Sequence, residues 1–235
     1  LREVLAAAAV SSGLHLHGTV PGALTHDQAC RAARSWGLGQ DPGGTVLVMA
    51  DGLGLELLLQ RRGHAPTLRS WLAEAESAPT LEATTCAPTT TAAALTTLGT
   101  SALPGTTGMV GYSVLNPRLR SPLAASAVPG PDQVLSLITW QGDDAPSPRA
   151  WQDIPTIFER VPAGSAVSIG PARFAGSGLT RAALRGCPHL GADRMEDRPA
   201  LAAGALRRGT PLVYLYVGEL DHAGHLHGWR STQWL

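Results

Sequence analysis

Thr45-Val-Leu-Val-Met-Ala-Asp51 is the stretch on which the fold turns. It follows the Asp41-Pro-Gly-Gly44 turn signal, runs almost without a polar interruption and ends on an acid. Its apolar residues do not alternate, so the spacing predicts a strand buried on both faces of a mostly parallel sheet. Working outward, residues 52–62 and 67–76 read as helices, 81–85 as a short strand, 91–98 as an alanine-rich helix and 109–115 as a strand. Farther on, 165–169 and Leu212–Val217 read as buried strands, with helices expected at 179–185 and 199–208. Strands that alternate with helices specify an α/β fold, here a three-layer α/β/α sandwich around a mostly parallel sheet. Residues 1–44 are expected to form a helical lead-in, with an amphipathic first helix over 4–10, and 45–235 the main domain. The stretch at about 116–148, scattered with Pro and Gly around an apolar run at 134–140, reads as an irregular excursion.

Composition narrows the chemistry. The 235 residues are 44 % apolar and 15 % charged, enough to bury a large core. All eighteen basic residues are arginine, and they balance eighteen acids, so nothing suggests a nucleic-acid-binding face or attraction to an anionic membrane. The absence of lysine excludes a Walker phosphate loop, a protein kinase, a pyridoxal Schiff-base enzyme and a Ser-x-x-Lys acylase. Cys30, Cys86 and Cys187 are odd in number and widely spaced, which argues against a disulfide framework and for a cytoplasmic setting. The apolar run at 4–10 is too short to span a bilayer.

In an α/β sheet, ligands sit outside the carboxyl ends of the strands. Asp51 follows such a strand; its carboxylate could ligate a metal or cap the helix expected from Gly52. Gly52-Leu-Gly54 is not a dinucleotide loop, because Leu57 occupies the third glycine position. Ala87-Pro-Thr-Thr-Thr91 leads into a helix. A hydroxyl at that end meets unpaired N–H groups and the positive end of the dipole, which suits an anionic substrate, although capping threonines need no further role. Asp221 and His225, in Asp221-His-Ala-Gly-His225 after the last strand, stand four apart and project from one helix face, as chelation of one metal requires.

Together these segments resemble the alkaline phosphatase superfamily, in its bacterial type I phosphodiesterase and nucleotide pyrophosphatase branch. That family opens with a strand and a metal-binding Asp, matched by Asp51. Its nucleophilic Thr or Ser starts a helix, with Thr-Gly nine and ten residues on and a proline at thirteen. Thr100-Ser101 and Pro104 both lead back to Thr91. The later Asp-x-x-x-His motif is matched by Asp221 and His225, with Gly228 following. Three departures stand out: Ser101 replaces the usual glycine, Pro104-Gly-Thr-Thr-Gly108 lacks the usual histidine, and Tyr112 sits where eukaryotic-type relatives carry a phosphate-binding asparagine.

The resemblance implies an alkaline-phosphatase-like fold and hydrolysis of phosphoric esters, a phosphodiester or nucleotide pyrophosphate, through a phospho-threonine at Thr91. It implies two Zn2+ ions, or other divalent metals, with Asp51 and Thr91 at one and Asp221 and His225 at the other. The substrate would be a small-molecule phosphate ester or nucleotide. The family's Asp-His-Gly segment and a late histidine complete its metal sites. Neither follows His225, so the C-terminal part of the domain is expected to be missing. The alternatives are a phosphomonoesterase, phosphonate hydrolase, sulfatase or phosphomutase of the same superfamily, or a catalytically inactive binding or scaffold relative. A threonine at the nucleophile position argues against a formylglycine sulfatase.

Overall fold

Helix α1 (Val4–Ser11) has no polar side chain before its last residue, and Leu5 through Ser11 are all buried. It therefore has no solvent face to balance a core face, and the amphipathic helix expected there is instead a core helix covered on all sides. Its neighbours include α2 (His26–Ser35), which begins with a reciprocal capping box. Gln28 N–H donates to Thr25 Oγ1 at 3.3 Å, and Thr25 N–H donates to Gln28 Oε1 at 2.8 Å.

The computed structural model describes residues 1–40, 43–75, 83–116, 133–141 and 144–235. After α2 come β1 (Thr45–Ala50), α3 (Leu55–Arg61), α4 (Pro66–Ala75), α5 (Thr91–Thr100) and α6 (Pro104–Thr107). A two-stranded pair, β2 (Ser113–Leu115) and β3 (Val134–Ser136), precedes α7 (Pro148–Trp151), α8 (Ile157–Arg160) and β4 (Ala166–Gly170). The chain closes with α9 (Gly178–Ala183), β5 (His189–Gly191), α10 (Arg198–Arg207), β6 (Leu212–Val217) and α11 (Glu219–His227).

The main sheet is all-parallel, in the order β1-β6-β4-β5, and helices flank it. This is the α/β class the sequence predicts. In β4 every residue is buried, and in β6 Leu212 through Leu215 are. β1 differs from expectation. It lies at the sheet edge, no residue of it is fully buried, and Val48 is 57 % exposed. An unbroken apolar run reports affinity for a sheet, not a central place in it.

Three further differences follow from local chemistry. The helix expected from residue 52 starts at Leu55, because Gly52 turns the chain at positive φ and Gly54 is the N-cap. Within 109–115 only Ser113–Leu115 is extended, and it pairs antiparallel with β3 outside the main sheet, Ser113 opposite Ser136 and Leu115 opposite Val134. Residues 83–85 form no strand, and 81–82, like 117–132 and 142–143 of the excursion, lie outside the described residues. β5 was not foreseen: three residues beside β4 (Ser168 opposite His189) carry no apolar run to announce them.

By contact density the chain divides into two compact units. The first comprises Leu1–Leu47 and Thr84–Tyr214, and the second Val48–Ala83 and Leu215–Leu235. In the first, α5 meets α9 so closely that a Cβ on Gly99 would overlap the Ala183 carbonyl oxygen. Arginines serve there as carbonyl clamps. Arg185 donates to the carbonyls of Gln152, Ile154 and Ala182, and Arg160 to those of His17 and Gly18.

Candidate active site

Asp51 leaves the carboxyl end of β1 with its N–H on the Val217 carbonyl at 2.8 Å. Its side chain does not cap α3, whose N-cap is Gly54 with no side-chain bond. The Asp51 carboxylate instead accepts the Gly52 N–H on Oδ1 at 3.0 Å and the Tyr216 hydroxyl on Oδ2 at 2.7 Å. Tyr216 sits at the carboxyl end of β6, and sequence reading passed over it. The only signal available was its place in the last turn of strand before the Asp-x-x-x-His motif.

Gly52 brings the next piece into place. At φ +74° it occupies the left-handed region that glycine tolerates, and a Cβ there would stand 2.7 Å from Asp221 Cα and 2.9 Å from Asp221 N. No other residue allows the Asp51 turn to lie against the start of α11. Asp221 is held in the first turn of that helix, and His225 follows one turn later, Nε2 to Oδ1 at 3.5 Å. The same-face geometry expected of these two residues is what the helix builds. Burial raises the Asp221 pKa, and the nearby Asp51 carboxylate adds to it, while His225 and His222 pull the other way.

The second unit thus contains Asp51, Asp221 and His225, with Tyr216 bonded to Asp51. It also holds an apolar cavity of about 150 Å³ whose lining includes Leu53, Leu58, Leu68, Leu220 and Trp234. Thr91 belongs to the first unit, as the first residue of α5. Thr90 is the N-cap there and accepts the Ala93 N–H at 3.5 Å, so capping falls to Thr90, while Thr91 stands half-buried in the first turn. Tyr112, in the first unit, is 58 % exposed.

Two carboxylates that repel each other, one of them beside an imidazole, are donors of the type a divalent cation takes, because the cation relieves their repulsion. Among the described residues, no three His, Cys, Asp or Glu side chains already surround a single ion position. No helix among the described residues is long and apolar enough to cross a membrane.

Residues 45–235 match the sequence model of the family described as type I phosphodiesterase / nucleotide pyrophosphatase. The chain belongs to that family. Membership indicates phosphodiesterase or nucleotide pyrophosphatase chemistry in general, on small-molecule phosphate esters. Asp51, Thr91, Asp221 and His225 all lie inside the matched region. No curated protein and no solved structure matches the chain.

Proposed function

We propose that this type I phosphodiesterase family member hydrolyses phosphoric diesters or nucleotide pyrophosphates through a covalent phospho-threonine at Thr91, with divalent metal ions, zinc foremost. The supporting observation is the approach of the Asp51-Gly52 turn to Asp221 at the start of α11, close enough for the Asp51 charge to act on Asp221, with His225 one turn on. Asp51 and Thr91 would hold one ion; Asp221 and His225 would hold the other. Bound there, the ions supply Lewis-acid stabilisation of charge on the attacking and leaving oxygens.

The chain's own residues account for the rest. The first turn of α5 offers the positive end of its dipole to an anionic phosphoryl group. Thr91 Oγ attacks phosphorus, the bond to the leaving alcohol breaks, and the hydroxyl proton passes to solvent. Water then cleaves the phospho-threonine, restoring Thr91 and releasing phosphate monoester. The Tyr216 hydroxyl on Oδ2 and the Gly52 N–H on Oδ1 fix the orientation of the Asp51 carboxylate.

The test is hydrolysis of an aryl phosphodiester with added zinc. Thr91→Ala is expected to lower kcat about 1,000-fold or more, as loss of a nucleophile does, while Thr91→Ser retains turnover. Undiminished turnover in Thr91→Ala would overturn the assignment.

A further inference from the structure

Three of the eight histidines and one of the three cysteines fall between residues 15 and 30, and none of them is among the candidate site residues above. The segment before α2 alternates: Leu14 and Leu16 are buried, His15 and His17 exposed. Extended backbone sends alternate side chains to opposite faces, so the two leucines anchor the segment and both imidazoles point outward together. Its backbone is fixed from behind. His17 N–H donates to the Arg160 carbonyl at 2.7 Å, and the Arg160 guanidinium holds the His17 and Gly18 carbonyls at 3.2 and 3.3 Å.

On α2, His26 and Cys30 stand one turn apart, with Nε2 and Sγ separated by 3.5 Å. A tetrahedral zinc, about 2.0 Å from nitrogen and about 2.3 Å from sulfur, places those two donors about 3.5 Å apart. The His15 ring lies 4.0 Å from the His26 ring and 5.1 Å from the His17 ring, centroid to centroid. Two imidazoles on one tetrahedral zinc have centroids about 5 Å apart, so the rings are already near the required spacing.

The geometry points to a zinc site on the N-terminal segment, with Cys30 and His26 as the fixed pair and His15 and His17 as the closing ligands. As folded, no three of these donors surround one point. Closure takes only rotation of two exposed imidazoles on a fixed backbone, a motion of picoseconds to nanoseconds. On binding, the Cys30 thiol proton goes to solvent. The proton of the neutral His26 ring moves to Nδ1, which gives up its long 3.4 Å contact with the Leu16 N–H. The site would cross-link the loop ahead of α2 to that helix, and it is independent of the phosphodiesterase chemistry.

The test uses the full chain with Asp51→Asn and Asp221→Asn, so that those carboxylates do not report. Titration with Co2+ is expected to give a thiolate-to-cobalt charge-transfer band that saturates at one equivalent and that Zn2+ displaces. Cys86 is buried and burial pushes the Cys187 thiol up to about 12, so Cys30 is the thiol that attacks an aromatic disulfide first, releasing the aryl thiolate. Zinc should slow that reaction at least about 100-fold. The band should vanish in Cys30→Ser and His26→Ala, and affinity should fall about 100-fold in the His15→Ala/His17→Ala double variant, whose exposed side chains leave the core intact. No thiolate band, a band that survives Cys30→Ser, or Cys30 reactivity indifferent to zinc would overturn the site. Unchanged affinity in the double variant would overturn the closing ligands.

Discussion

Asp221 is subject to opposing influences, and the balance has a sign that can be measured. Burial and the Asp51 carboxylate hold its pKa above the ordinary range, despite its favourable place in the first turn of α11 and the two nearby histidines. The folded chain therefore binds this proton more tightly than the unfolded chain does. Stability falls as pH rises from the ordinary carboxylate range through the raised folded value, and the full penalty remains above it. Asp221→Asn should accordingly raise the thermal midpoint of the metal-free chain at pH 7, and the gain should disappear at about pH 2, below the ordinary carboxylate range, where the wild-type carboxylate is protonated in either state. A difference equal at both pH values would show that charge is not its origin. Zinc should stabilise the wild type more than the variant, because the same repulsion that costs stability in the metal-free chain favours a cation. Of this residue's environment, the four-residue spacing to His225 was legible in the sequence. The Asp51 carboxylate beside it was not, since that approach depends on Gly52 having no Cβ.

At the level of elements, α5 shows how much a short segment encodes. Its start could be read from the threonines, and Thr90 caps it as hydroxyls do. Its end is less comfortable. Ser101 is the C-cap at φ +58°, in the left-handed region, and its buried hydroxyl oxygen has no hydrogen-bond partner among the described residues. Its backbone carbonyl, which accepts from Arg2 Nε at 2.8 Å, would survive a change of side chain. Ser101→Gly should therefore stabilise the chain by about 1 kcal/mol, from relief of left-handed strain and of an unpaired polar group, net of lost packing. Chemical denaturation measures it, and a loss of stability would mean that the Cβ contributes more packing than the strain costs. The same helix shows why periodicity under-reports contact. Gly99 reads as an ordinary small residue, yet the α5–α9 approach requires it. β2 and β5 were misread or missed for a related reason: strands of three residues take their conformation from a partner rather than from their own sequence.

Across the whole molecule, burial is unevenly shared. α1, α5 and β4 are almost entirely buried, while α3 and α11 contain no buried residue. Amide hydrogen exchange followed by mass spectrometry should find α3 and α11 exchanging at least about 100-fold faster than α5 and β4, with zinc slowing α11 first. Uniform protection in all four would contradict that division. Much of the molecule's identity was available from order and spacing alone: a strand ending in Asp51, a helix opening at Thr91, and Asp221 four residues before His225. Those features depend on chain-local periods of two and 3.6 residues, which a linear sequence carries directly. What required the tertiary structure were the relations between distant residues. The sheet order places β1 at an edge although its composition suits a centre. It also joins Tyr216 to Asp51 across 165 positions, and the packing of the loop ahead of α2 against that helix seats His15 beside His26. Such pairings depend on which strands and helices become neighbours, and that is decided by how the buried faces pack against one another, which no local spacing contains.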